Sequence, residues 1–123
     1  MQHALDQVVQ FLDRQQIPYT RYDDGILWAQ DGPDDFPIIF TEARYQGWVY
    51  ATSHFGFEDG GRGVRGLRSL RKAAHEKFGG RVRVTCNGRE FGIVGQLKSD
   101  PDRLKFEVAD YISAYRYIFP LIY

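Results

Sequence analysis

A chain of 123 residues with 43% hydrophobic and 26% charged side chains fits one globular domain rather than a disordered or multidomain protein. No apolar run approaches the roughly 18–20 residues needed to span a bilayer, and the acid-bearing, amphipathic N-terminus "MQHALDQVVQFLDRQQ" is no signal peptide, so a soluble, cytoplasmic protein is expected. The single cysteine, Cys86, excludes an internal disulfide and reads as a small hydrophobe in an apolar run. Net charge is zero but unevenly spread. Residues 1–59 hold three basic and ten acidic side chains, whereas residues 60–98 hold ten basic and two acidic. That positive block points to an anionic ligand, an acidic partner, or an internal match with the acidic half.

In chain order, Gln2 to Gln16 places Ala4, Val8, Val9 and Leu12 on one face at helical spacing, and Ile17-Pro18 ends that helix. "YTRYDDGILWAQDG" predicts two short strands around the Asp24-Gly25 turn, "FPIIFTEA" a third strand, and "YQGWVYATSHFGF" a longer fourth. A helix of about four turns is predicted from Gly63 or Val64. It sets Leu67, Leu70, Ala74 and Phe78 on one face, sets Arg62, Arg65, Arg68 and Lys72 on the other, and stops at Gly79-Gly80. "RVRVTC" alternates as a strand, and "REFGIVGQLKSD" is better read as a strand than as a helix weakened by Gly92 and Gly95. After the turn at Asp100-Pro101-Asp102, "RLKFEV" looks strand-like and "ADYISAYRYIF" forms a last helix stopped by Pro120. The order predicts a single α+β domain, a mostly antiparallel sheet flanked by helices.

The glycine-rich stretch before the basic helix is the first functional candidate. Free N–H groups of a first helical turn, glycines that let a phosphate approach, and arginines that grip it bidentately together suit a pyrophosphate. The loop is no P-loop, because no Lys-Ser or Lys-Thr follows. Gly61, Gly63 and Gly66 have G-x-G-x-x-G spacing but lie mid-chain in a domain too small for a Rossmann fold.

Strand, glycine loop, helix and strand in that order resemble the GNAT acyltransferase superfamily over roughly Ile26 to Asn87. Gln46–Phe57 is similar to that family's central strand, Glu58–Gly66 to its pyrophosphate loop and Val64–Phe78 to the helix that follows. The loop departs from the family's pattern at Glu58 or at Arg65, depending on the alignment. The resemblance implies acetyl-CoA held by Gly61, Arg62, Gly63, Val64, Arg65 and Gly66, and either transfer of its acetyl group to a small-molecule or protein amine or a relative that has lost catalysis. It also implies a general base, for which His54 and Glu42 are candidates, and a general acid, for which Tyr111 or Tyr115 are candidates. A splayed gap between the strand 46–57 and "RVRVTC" is then needed to admit the pantetheine arm, and continuous pairing there closes it.

A non-enzymatic reading stands beside it. The order helix, strands, helix, strands, helix also resembles the small type III secretion chaperone-like domains, which act as dimers. That resemblance implies a protein-binding module, with Arg65, Arg68, Arg71 and Lys72 meeting an acidic partner or the acidic half of a second copy. The aromatic tail "YISAYRYIFPLIY" then packs in a dimer interface or binds a peptide. Nucleic-acid binding through this basic face is disfavoured by the neutral chain and its acidic half. His3, His54 and His75 have no metal-ligand spacing to each other or to Cys86, and Ser53 and His54 point to opposite sides of a strand, so neither a metal centre nor a serine triad is expected.

Overall fold

A computed structural model describes residues 4–22, 25–31, 37–43, 47–56, 61–87, 90–100 and 102–122, leaving the side chains of 43, 55, 56, 61–65, 87 and 122 undescribed. The elements are α1 (Ala4–Arg14), β1 (Tyr19–Tyr22), β2 (Ile26–Ala29), β3 (Ile38–Ala43), β4 (Trp48–Gly56), α2 (Gly61–Phe78), a single 3-10 turn (Gly79–Arg81), β5 (Val82–Asn87), β6 (Glu90–Lys98) and α3 (Leu104–Ile122). The domain is α+β, as its sequence predicts.

The six strands form one sheet in the order β1-β2-β3-β4-β6-β5, every neighbouring pair antiparallel. The four N-terminal strands run as a meander. Turn chemistry sets two of its corners: Gly25 and Gly47 have φ of +76° and +70°, a region that costs a side chain but not glycine. After β4 the chain crosses through α2 to β5, then turns back so that β6 lies between them. β4 and β5 therefore run parallel without touching as neighbours.

Period two splits the sheet into two faces. Leu27, Ala29, Ile38, Phe40, Val49, Ala51, Ser53, Val82, Val84, Phe91, Ile93 and Leu97 point to one face and are buried. All three helices pack on that face, with α3 between α1 and α2 and against β6. Tyr22, Trp28, Thr41, His54, Arg83 and Thr85 point the other way and are exposed. The helices bury one stripe each: Leu5, Val8 and Leu12 on α1; Leu70 and Ala74 on α2; Leu104, Val108, Tyr111, Tyr115 and Ile118 on α3.

Three boundaries differ from the sequence reading. "RLKFEV" is the start of α3 and not a strand. Its alternation at Leu104, Phe106 and Val108 fits period two, but Phe106 is 63% exposed while Leu104 and Val108 are buried. The helical period therefore prevails. Asp100 starts the helix: its carbonyl accepts from Arg103 and Leu104 N–H, and its carboxylate accepts from Asp102 N–H. Pro120 lies inside the last turn of α3 rather than ending it. The helix α2 begins at Gly61, before the predicted start, with Gly66 departing from helical geometry at φ −103°, ψ 17°.

Candidate functional site

The three proposed catalytic side chains are not brought together. His54 is exposed on the helix-free face of β4, whereas Glu42 and Tyr115 belong to the helix-covered side. Glu42 Oε1 accepts a hydrogen bond of 3.0 Å from Ala4 N–H, so this carboxylate caps the first turn of α1, where the helix dipole favours negative charge. Tyr115 is buried and stacked on Phe119 at 5.4 Å between ring centres. Burial, then the charge of Asp31, pushes its hydroxyl pKa up to about 12. Tyr111 is fully buried and also raised, by burial first. Its hydroxyl donates to Ile93 O at 2.7 Å and lies 3.2 Å from Ser53 Oγ. A sheet separates His54 from Glu42 and Tyr115.

The glycine stretch also differs from its expectation. Gly61 to Gly66 form the first turns of α2 rather than a loop. The side chains of Arg62, Val64 and Arg65, and residues 57–60 with Glu58, lie outside the described residues. The slot that a pantetheine arm needs between β4 and β5 holds β6, which pairs with β4 from Trp48↔Lys98 to Gly56↔Glu90 and with β5 from Val82↔Gly95 to Asn87↔Glu90.

What the fold does assemble is a basic groove along the outer side of β5. Arg71, Ala74 and His75 of α2 face Val82, Arg83, Val84 and Thr85 of β5 across an open cavity of about 450 Å³. Helical spacing puts Arg68, Arg71 and His75 on one stripe at i, i+3 and i+7. Arg68, Arg71, Lys72, His75 and Arg83 are all exposed; Glu76 is the exposed acid among them on α2. Arg71 Nε donates to Val84 O at 3.0 Å. Other cations have internal work. Arg81 bridges Glu107 and Asp110 at 3.7 and 3.0 Å, Arg116 grips Asp31 with two bonds of 2.6 and 2.7 Å, and Lys77 sits over the Tyr117 ring at 4.2 Å. None of the described ion pairs involves Arg68, Lys72 or Arg83.

Sequence reasoning found Arg68, Arg71 and Lys72 but missed His75, Arg83 and the Val84 carbonyl. Arg83 was readable as the outward member of "RVRVTC". That β5 ends the sheet was not, because it depends on β6 crossing inside it. Among the described residues no three His, Cys, Asp or Glu converge as metal ligands, and no helix is long and apolar enough to cross a membrane.

No protein-family profile matches the chain, and no curated protein is significantly similar to it. The fold is similar to the crystal structure of YbjN from E. coli, described as a candidate transcription regulator, with TM-score 0.59 and 11% identity over 93% of this chain and 87% of that one.

Proposed function

We propose that this chain is a non-catalytic protein-binding module that takes an acidic partner segment on the basic surface shared by α2 and β5. The observation that carries the reading is the groove of Arg71, His75 and Arg83, with Arg68 and Lys72 beside it, in a protein where three further arginines, at 21, 81 and 116, hold acids of their own fold. Cations left exposed and clustered beside an open groove are a surface for carboxylates. The separated His54, Glu42 and Tyr115, and β6 filling the space between β4 and β5, give an acyl transfer no assembled machinery. The likeness to YbjN supplies the fold alone.

The test is anisotropy of a fluorescein-labelled octaglutamate peptide against the whole chain, with octalysine as control. The acidic peptide is expected to bind in a salt-sensitive way, and Arg68→Glu with Lys72→Glu is expected to weaken it at least about tenfold by reversing two neighbouring charges. Binding unchanged by the reversal, or none at all, removes the reading. Acetyl-CoA binding by calorimetry with acetyl transfer to an amine would replace it by the acyltransferase.

A further inference from the structure

We infer that the acidic segment enters as an added strand on the outer edge of β5, exchanging places with Arg71 at the Val84 carbonyl; this rests on the protein-binding reading above. β5 ends the described sheet. Only residues 88 and 89 connect Asn87 to its partner Glu90, and a two-residue hairpin closes on a hydrogen-bonded pair. Counting back, Thr85↔Gly92 and Arg83↔Val94 are hydrogen-bonded pairs, and Val84↔Ile93 is not. Arg83 and Thr85 therefore turn their backbone groups toward β6, and Val84 turns both its N–H and its C=O outward. The Arg71 contact agrees independently, because its guanidinium reaches the Val84 oxygen from outside the sheet.

An exposed edge invites pairing, and proteins cover such edges with charges or with neighbouring chain. Among the described residues, the Val84 carbonyl is taken by one arginine side chain, itself exposed. An incoming strand supplies an N–H to Val84 O and a C=O to Val84 N–H, which is the main-chain recognition of strand addition. The released Arg71 then meets a carboxylate on the helix-facing side of that strand, where His75 and Arg68 lie on the same stripe. Arg83 meets the strand's opposite face. β-branched residues at the intervening positions, on the side of Arg83 and Thr85, favour the extended form. The occupant is thus an extended segment alternating acidic and β-branched residues.

A second copy is the disfavoured occupant. A two-fold joining β5 to β5 sets Arg71, Lys72 and Arg83 against their own copies, and like charges facing each other across strands destabilise the pairing.

The probe is the capped octapeptide (Glu-Val)4, with a version methylated on alternate backbone nitrogens, added to the isotopically labelled whole chain. Amide exchange is read residue by residue. With the plain peptide, exchange at Val84 is expected to slow at least about tenfold, while Arg83 and Thr85, already bonded to β6, stay as they were. The methylated peptide is expected to lose that protection. Arg71→Met is expected to erase the preference for (Glu-Val)4 over (Gln-Val)4; if that variant fails to fold, Arg71→Lys is expected to reduce the preference by losing the paired guanidinium contact. Acidic-peptide binding without the Val84 signature, or indifferent to methylation, overturns strand addition and leaves the charged-surface reading standing. Failure of octaglutamate and (Glu-Val)4 alike overturns both. A dimer of the free chain with Val84 already protected assigns the edge to a second copy and also overturns the proposal.

Discussion

Tyr111 occupies a place that only a glycine across from it leaves open. A Cβ built on Gly95 of β6 falls 2.6 Å from Tyr111 Cδ2, well inside contact distance, and the Tyr111 ring is buried with no room to retreat. Gly95→Ala is therefore expected to destabilise the fold by about 1–3 kcal/mol through overpacking, read as a lower urea midpoint with unchanged slope. A sequence reading that weighs Gly95 only as a helix breaker assigns β6 correctly and misses what the glycine accommodates. The two buried tyrosines also set a pH limit. Their hydroxyls titrate higher folded than unfolded, from an ordinary 10.0 up to about 12 for Tyr115. The folded state thus holds protons that the unfolded chain releases, so this stability is whole below pH 10.0 and is lost as pH rises toward 12. Melting temperature should fall across that window, together with a late tyrosinate absorbance rise. A flat melting temperature through the window contradicts the burial of these hydroxyls.

Elements were legible where turn chemistry and period agreed. Asp24-Gly25 separates β1 from β2, Gly79 at φ +70° ends α2, and "RVRVTC" alternates into β5 one residue in, from Val82. Legibility failed where two periods fitted the same residues, as in "RLKFEV". It also failed where the deciding contact is distant in sequence, as with β6 entering between β4 and β5. The end of α1 shows a subtler limit. Ile17-Pro18 marks the stop, but the stop itself is a Schellman motif: Ile17 N–H donates to Leu12 O at 2.9 Å and Gln16 N–H to Asp13 O at 3.2 Å. Gln16 takes φ +57° to make it, a conformation in which a side chain strains against the backbone. Gln16 is exposed, so a glycine there loses no packing. Gln16→Gly is expected to be neutral or to stabilise by up to about 1 kcal/mol, net of the extra freedom it gives the unfolded chain. Gln16→Val, β-branched in the same conformation, is expected to destabilise, and equal urea midpoints for the two variants would contradict the motif.

Across the whole molecule, two sets of cations stand apart by what folding places beside them. One joins distant parts of the chain: Arg21 to Asp6 between β1 and α1, Arg81 to Glu107 and Asp110 between the turn before β5 and α3, and Arg116 to Asp31 between α3 and the segment after β2. The other, Arg68, Lys72 and Arg83, lies exposed around the β5 groove. Composition cannot separate these populations, because an arginine's role is set by what folding places beside it. Stability can separate them. Asp31 is only 7% exposed in its side chain, while its partner Arg116 is 58% exposed. Arg116→Ala strands a nearly buried carboxylate without its two donors, and an orphaned buried charge costs more than the pair contributes. That variant is expected to lose about 1–3 kcal/mol. Arg68→Glu with Lys72→Glu removes no described ion pair and should stay within about 0.5 kcal/mol of the native chain, as surface substitutions do. Urea midpoint and octaglutamate affinity should therefore separate the two variants: the first loses stability and keeps binding, the second keeps stability and loses binding. If both properties fall together in the second variant, the basic face is part of the fold's own framework and not a surface reserved for a partner.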